Sequence, residues 1–216
     1  MNKKLYLVIP CYNEEEVLQD TAAKLKNKMS DMIARGVISP ESRIIMVNDG
    51  SMDLTWRIIE KLHEEDRLFG GINLTRNRGH QNAILAGMMY ARKYCDFVIT
   101  IDADLQQDIE AMDRFIKEYY AGNEIVFGVR NSRNTDSFFK KSTATIFYKL
   151  MHFLGCNIYE NSADYRLMSA KALDALSEYE EVNLFLRGII PDIGLKTSVV
   201  HFDVFPRMQG ESKYSL

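Results

Sequence analysis

The sequence predicts an α/β fold in which a mostly parallel sheet carries helices on both faces. Short apolar runs alternate with longer amphipathic runs through residues 1–130, as in chains built from strand–helix–strand units. Polar and charged residues follow the apolar runs directly, at the carboxyl ends of the predicted strands, where such sheets bind ligands. With 216 residues, the chain is long enough for one domain of this kind.

The predicted elements follow one another in a regular order. The strands are predicted at Leu5–Ile9, Ile44–Val47, Gly71–Leu74, Phe97–Ile101 and Ile125–Val129. Between them, apolar residues recur at steps of three and four, as on one face of a helix. The helices are therefore predicted at Leu18–Met32, Leu54–Leu68, Gln81–Tyr94 and Ile109–Tyr119. Gly36 is expected to end the first helix.

The pattern changes after residue 130. Residues 131–137 are polar and loop-like, and Phe138–Leu154 is a predicted helix that mixes aromatic residues with lysines. Such a mixture is typical of a helix at a membrane surface, although an ordinary packing helix has the same pattern.

Composition excludes several classes of protein. The net charge is -3, with 26% charged residues, whereas a nucleic-acid-binding domain has a basic excess. The scattered cysteines and histidines have no spacing typical of a zinc site. Neither a signal peptide nor a run near the ~20 apolar residues of a membrane span occurs, so the chain as given is expected to be soluble.

The sharpest chemical signal follows the fourth predicted strand. Side chains two apart in an extended stretch face the same way, so Asp102, Asp104 and Gln106 can converge across Ala103 and Leu105. Hard oxygen ligands of this kind suit Mg²⁺ or Mn²⁺, with substrate phosphates completing the coordination shell. Without a cation, two carboxylates would repel phosphates. A solvated acidic turn is the weaker interpretation, because five apolar residues precede the pair.

Two further strand ends carry polar residues. The turn Pro10–Glu15 would present free backbone N–H groups to an anion, with Tyr12 as a ring for a base and Glu14 as an acceptor. After the second strand, Asp49 could accept from a base or ribose, while Gly50 allows a tight turn and Ser51 caps the next helix. Taken alone, an ordinary turn is the favoured interpretation of the first segment, and a capping turn explains the second segment about as well as binding does.

The remaining candidates are weaker when each is taken alone. Arg76 or Arg78, with Gly79, could approach a nucleotide phosphate, and His80 is interpreted as structural. Downstream, Asp164 is a candidate at the acceptor, and Arg207 and Lys213 are cations that could bind phosphates. Surface arginines and a surface ion-pair network are the alternatives.

Six ordered blocks together resemble the family 2 glycosyltransferases of GT-A fold. They are Pro10–Glu15, Asn48–Ser51, Asn77–Gly79, Asp102–Gln106, Asp164–Met168 and Arg207–Tyr214. The branch that they resemble makes dolichyl-phosphate mannose or bacterial polyprenyl-phosphate glucose. Two positions depart from the pattern: Asn48 replaces a frequent aspartate, and Gln107-Asp108-Ile109 replaces a polar residue followed by proline.

The resemblance implies a GT-A-type, Rossmann-like sheet and a role for each matching residue. The residues implied to bind the nucleotide sugar are Pro10, Tyr12, Glu14, Asp49, Arg78, Gly79, Asp102, Ala103 and Lys213. The implied ligands of Mg²⁺ or Mn²⁺ are Asp102, Asp104 and Gln106. The implied catalytic residues are Asp104, Asp164 and Arg207. Asp164 would act as base or position the acceptor, and Arg207 would contact the departing diphosphate or the acceptor phosphate.

The implied reaction is inverting transfer of a hexose from a nucleotide diphosphate sugar, UDP-glucose by preference, to a polyprenyl phosphate at the cytoplasmic face of the membrane. Residues 1–130 would form the nucleotide-sugar half and residues 131–216 the acceptor half of one domain. Members of this branch usually continue into membrane helices, so the chain is expected to be a truncated piece. A saccharide acceptor, a catalytically silent scaffold, GDP in place of UDP, and a homo-oligomer all stay open.

Overall fold

The computed structural model describes residues 2–131, 161–179 and 185–205. Its strands are β1 (Leu5–Cys11), β2 (Arg43–Asn48), β3 (Phe69–Asn73), β4 (Phe97–Thr100), β5 (Ile125–Arg130), β6 (Ser162–Ser169) and β7 (Thr197–Phe202). Its helices are α1 (Leu18–Ala34), α2 (Thr55–Glu65), α3 (His80–Ala91), α4 (Ala111–Tyr120), α5 (Ala170–Leu176) and α6 (Leu186–Asp192). Within these ranges, we find no helix with the length and apolar character needed to span a bilayer.

The strands form one seven-stranded sheet in the order β3-β2-β1-β4-β6-β5-β7. β1 pairs in parallel with β2 and β4, β2 with β3, and β5 with β7. β6 is antiparallel to both of its neighbours, β4 and β5. The predicted mostly parallel sheet is thus confirmed, and among the described strands the reversed one, β6, is the fifth of seven in the order.

Helices cover both faces of the sheet, as predicted. The apolar residues of α1, α2 and α4 pack in one core cluster with the side chains that β1, β2 and β4 place on one face of the sheet. The apolar residues of α3, α5 and α6 form the second cluster on the opposite face. The alternation of side chains along each strand therefore supplies both cores.

The elements up to residue 130 match the predicted ones to within a few residues at each end. The largest difference at a strand start is in β3, which begins at Phe69 rather than at Gly71. A side chain at Gly71 would come 2.7 Å from Ile59 and 3.1 Å from Trp56, so α2 packs directly on the strand backbone there. Gly70 and Gly71 have no apolar side chain, so they hide the beginning of the strand from a hydrophobicity pattern.

The sequence did not predict the elements after residue 160. These are β6, α5, α6 and β7. Most of β6 is buried although it carries Asp164 and Arg166, so its pattern resembles neither an amphipathic nor an apolar strand. The predicted helix Phe138–Leu154 lies outside the described residues.

Candidate active site

The candidate site lies at the edge of the sheet where β1, β2 and β4 end. Because β6 runs antiparallel to β4, with Thr100 opposite Arg166, the first residues of β6 come to this same edge. The Thr100 hydroxyl donates to the backbone carbonyl of Asp164, which fixes the start of β6 beside the end of β4. Asp164 is therefore brought to the edge occupied by the Asp102–Gln106 segment.

Asp102, in the loop that follows β4, is contacted from two sides, by Gln107 of the same loop and by His80 of α3. Gln107 donates its side-chain Nε2–H to Asp102 Oδ2, and His80 Nε2 lies 3.3 Å from Asp102 Oδ1. Further along, Asp104 Oδ1 accepts the backbone N–H of Gln106 at 3.2 Å. Leu105 between them has a φ of 47°, a left-handed conformation that non-glycine residues rarely adopt. Asp104 and Gln106 both remain partly exposed.

His80, which the sequence analysis interpreted as structural, bridges two carboxylates of the site. Its Nε2 lies 3.6 Å from Asp164 Oδ2 in addition to its approach to Asp102. Burial alone would lower the pKa of His80, but the hydrogen bond to Asp102 and the charges of Asp102 and Asp164 raise it above its usual value. A positive charge on this ring thus offsets the repulsion between the carboxylates.

Asp164 is 7% exposed and lies between two arginines. Arg166 Nη2 donates to Asp164 Oδ1 at 2.6 Å, and Arg187 reaches both carboxylate oxygens. Burial alone would raise the pKa of Asp164, but the hydrogen bond from Arg187 and the charges of Arg166, Arg187 and His80 hold it below its usual value. Asp164 is therefore ionised at neutral pH and compensated by its neighbours.

Asp49 has 2% of its surface exposed and binds backbone amides rather than facing an open cleft. Its Oδ1 accepts the N–H of Arg78 at 2.7 Å and its Oδ2 accepts the N–H of Gly79 at 2.9 Å. Gly50 lies so close to this segment that an added Cβ would come 2.4 Å from the Asn77 nitrogen. Asp49, Arg78 and Gly79 are thus brought together, with the carboxylate fixing the loop before α3.

The β1–α1 turn differs from its expected form. The N–H groups of Asn13, Glu14 and Glu15 donate to the side chains of Ser51, Thr55 and Asp53, respectively. These amides are therefore not free for an anion, in agreement with the ordinary turn that the sequence alone favours for this segment. Ser51 also does not cap α2, because its hydroxyl accepts from Asn13 and the helix begins after Leu54 without a side-chain cap.

Three other residues expected at the donor site, Pro10, Tyr12 and Ala103, lie at or just beyond the ends of β1 and β4. Pro10 is buried within β1, opposite Val47 of β2. Tyr12 is 36% exposed and so presents part of its ring to solvent. Ala103, between the two aspartates, is buried, and its carbonyl accepts the Thr21 hydroxyl at 2.6 Å.

The oxygen-rich loop suits a hard divalent cation shared with a ligand. Asp104 and Gln106 supply a carboxylate and an amide oxygen at a partly exposed edge, and Asp102, which is also partly exposed, is held by Gln107. Mg²⁺ and Mn²⁺ sites of this kind take one or two carboxylates and complete their shell with phosphate oxygens and water. In the described ranges, we find no group of three or more His, Cys, Asp or Glu side chains arranged to hold a metal by themselves.

Two functional candidates were missed by the sequence analysis. Arg187 lies on α6, 23 residues beyond its partner Asp164, and no local spacing indicates this pairing. Arg166 is two residues from Asp164, and the alternation of a strand would have indicated that both face one way, had β6 been predicted. Arg207 and Lys213 lie outside the described residues, so their expected roles stay predictions.

Comparison with known proteins agrees with this geometry. Residues 6–177 match the profile of glycosyl transferase family 2. The chain is 47% identical to the uncharacterized glycosyltransferase YkoT of Bacillus subtilis, over 98% of this chain and 63% of that protein. It is 36% identical to the bactoprenol glucosyl transferase of Shigella phage SfV, over 98% of this chain and 67% of that protein. The chain thus spans about two thirds of the length of these relatives.

Solved structures share the fold at low sequence identity. The mannosyltransferase PcManGT of Pyrobaculum calidifontis, in complex with GDP-Man and Mn²⁺, matches with a TM-score of 0.63 at 13% identity, over 96% of this chain and 59% of that one. Staphylococcus aureus TarS 1-349 with UDP-GlcNAc matches with a TM-score of 0.59 at 17% identity, over 98% of this chain and 62% of that one. The sheet and its helices are therefore those of the GT-A glycosyltransferases.

Proposed function

The chain belongs to glycosyltransferase family 2, and we propose on this basis that it is the catalytic part of an inverting enzyme. The proposed reaction transfers a hexose from a nucleotide diphosphate sugar to a polyprenyl phosphate at the cytoplasmic face of the membrane. Residues 1–130 would supply the donor half of the site, and residues 131–216 the acceptor half.

The observation that carries this proposal is the pairing of Asp164 with two arginines. A general base at neutral pH works best with a pKa near that pH. Asp164 instead has a lowered pKa and accepts hydrogen bonds from Arg166 and Arg187, which makes it a poor proton acceptor. A sugar hydroxyl needs a base, whereas a phosphate is already ionised. The arrangement therefore favours a phosphate acceptor, which Asp164 and its arginines would position rather than deprotonate.

Several residues are proposed to bind the nucleotide sugar donor and its cation. Asp49 fixes the backbone of Arg78 and Gly79, and the partly exposed ring of Tyr12 would stack on a base. The carboxylate of Asp104 and the amide of Gln106 would hold Mg²⁺ or Mn²⁺, which would polarise the diphosphate and neutralise its charge as it leaves. Arg207 and Lys213 are proposed to contact the diphosphate or the acceptor phosphate.

The proposed substrates follow the relatives. The proteins named bactoprenol glucosyl transferases share 36% identity over nearly the whole chain, which supports glucose as the sugar and a polyprenyl phosphate as the acceptor. We favour UDP-glucose as the donor. The predicted aromatic and lysine-rich segment Phe138–Leu154 would meet the membrane surface where such an acceptor lies.

The test is a transfer assay in detergent with radiolabelled UDP-glucose, Mn²⁺ and undecaprenyl phosphate. We expect label in the organic phase with this lipid and none with undecaprenol, which lacks the phosphate. NMR of the product should show an anomeric configuration opposite to that of the donor. Label transferred to undecaprenol or to a saccharide would refute the phosphate acceptor, and binding of UDP-glucose without any transfer would favour a silent domain.

GDP-mannose is the comparison donor in the same assay. We expect it to give at most a small fraction of the rate with UDP-glucose, because a base site fitted to one nucleoside leaves polar groups unpaired against another. Faster transfer from GDP-mannose would reassign the donor without changing the acceptor proposal.

A further inference from the structure

The loop 102–108 is held by contacts from three separate parts of the chain. Thr21 of α1 donates to the carbonyl of Ala103, Phe205 donates its N–H to the carbonyl of Gln106 at 2.8 Å, and Tyr165 of β6 donates to the carbonyl of Asp108 at 3.0 Å. A strained residue such as Leu105 persists only where its surroundings over-determine the backbone. The conformation of this loop is therefore imposed by the fold.

Gln107 lies at the centre of these contacts. It is 3% exposed, it forms a β-bridge with Val204, and its Nε2–H donates to Asp102 Oδ2. The orientation of the amide follows from this bond, because the flipped amide would place its oxygen against the carboxylate. In the described part of the chain, Gln107 Oε1 is buried and has no hydrogen-bond partner.

An amide satisfied at only one end is a poor structural element. A buried acceptor without a partner is destabilising, and an apolar side chain of the same size would avoid that penalty. Methionine or leucine would also remove the N–H that Asp102 accepts, but Asp102 is 29% exposed and water can replace that donor, so stability alone does not require glutamine at this position. What the glutamine provides, and they cannot, is the N–H that fixes Asp102 Oδ2, while His80 lies at 3.3 Å from Asp102 Oδ1.

We propose that Gln107 is a positioning residue of the transfer reaction, whose amide holds Asp102 in the orientation that the donor and its cation require. This inference rests on the proposed function. Asp102 is followed at once by Asp104 and Gln106, so rotation of the Asp102 carboxylate would disturb the group of residues that would hold the cation. Groups that orient metal-binding residues commonly change metal affinity or activity by about 10–100-fold when they are removed.

The decisive variant is Gln107→Met, which keeps the size of the side chain and removes both polar atoms. We expect its thermal unfolding midpoint without ligand to equal or exceed that of the wild type. We expect the Mn²⁺ concentration that gives half of the UDP-induced thermal stabilisation to rise by about tenfold or more. The turnover number should fall by a similar factor, with little change in the KM for the lipid phosphate. Gln19→Met, at an exposed position of α1, is the matched control and should change none of these values.

Each result decides the inference. An unchanged Mn²⁺ response would overturn it, and so would a variant that unfolds early or fails to fold, because Gln107 would then serve stability. If the wild type binds UDP with Mn²⁺ but transfers nothing to the lipid phosphate, the proposed acceptor fails while the binding comparison still decides the role of Gln107. If the wild type shows no Mn²⁺-dependent binding of UDP, the inference falls together with the metal-dependent donor site.

Discussion

Arg187 donates two hydrogen bonds to the carboxylate of Asp164, at 3.2 Å from Nε to Oδ1 and 2.9 Å from Nη2 to Oδ2. The fork fixes the plane of the carboxylate as well as its charge. The side chain of Arg187 is 39% exposed, whereas that of Arg166, the second partner, is 3% exposed. Arg187 is thus the partner on the solvent side, where a substrate would arrive.

Arg187→Lys is expected to lower kcat/KM for the lipid phosphate by at least about tenfold, since a lysine keeps the charge but cannot form the fork. The free energy of unfolding should change by less than about 1 kcal/mol, because this pair is partly exposed and Arg166 still compensates Asp164. Initial rates at varied lipid phosphate and urea unfolding measure the two effects.

Arg92→Lys is the matched control for that substitution. Arg92 contacts Asp174 through Nε at 3.0 Å on the surface. Arg92→Lys should leave both the transfer rates and the urea unfolding curve unchanged. Equal rates for wild type and Arg187→Lys would show that the orientation of Asp164 does not limit transfer.

Asp104→Asn is expected to reduce turnover by about 10²–10³-fold, because an amide is a weaker ligand for a divalent cation than a carboxylate. The variant should still bind UDP weakly, but Mn²⁺ should no longer strengthen that binding. Isothermal titration with UDP, with Mn²⁺ and with chelator, measures this directly. Asp108→Asn is the control, since the Asp108 side chain accepts the backbone N–H of Glu110 and forms an ion pair with Arg114. Equal losses in both variants would argue against a specific ligand role for Asp104.

β1, β2, β4 and β5 could be predicted because each is an apolar run bounded by polar residues, whereas the glycines of β3 left its first residues unpredicted. The first four helices could be predicted because their apolar residues recur at steps of three and four. β6 could not, since its buried positions include Asp164 and Arg166, which compensate each other in a way that single residues do not indicate. The candidate site, too, could be predicted only where its residues are close in sequence. The spacing of Asp102 and Asp104 is visible in the sequence, whereas Arg187 reaches Asp164 only through the folding of β6 and α6.

Gly50 and Gly79 offer a comparison between steric overlap and backbone strain. Both have positive φ, 66° and 89°, so alanine at either position carries a strain of about 1–3 kcal/mol. At Gly50 an added Cβ would also come 2.4 Å from backbone atoms of Arg76 and Asn77, while at Gly79 no atom lies within 4 Å. We expect Gly50→Ala to lower the free energy of unfolding by about 1–3 kcal/mol more than Gly79→Ala. Urea unfolding measures the difference, and equal losses would contradict the close packing of the two loops.

Asp113 on α4 makes the stability of the fold depend on pH. It accepts hydrogen bonds from Lys28 at 2.6 Å and from Arg35 at 2.8 Å, which join α4 to α1. Burial alone would raise the pKa of Asp113, but these bonds hold it below its ordinary value of 3.8. A carboxyl group with a lowered pKa stabilises the folded state fully above its unfolded-state pKa. That stabilisation is lost as the pH falls from about 4 through the folded-state pKa.

Asp113→Asn is therefore expected to lower the free energy of unfolding by about 1–3 kcal/mol between pH 5 and 7, because the amide cannot accept equally from both cations. The difference from the wild type should narrow as the pH falls below about 4, because the unfolded wild-type chain then binds a proton at Asp113 that the folded chain binds only at lower pH. Urea unfolding across this pH range measures it. Asp31→Asn, which removes an exposed partner of Arg35, should change stability by only about 0.5 kcal/mol at any pH. A difference between wild type and Asp113→Asn that stays constant down to pH 2 would mean that the charge of Asp113 contributes nothing, and that the α1–α4 contact depends on packing alone.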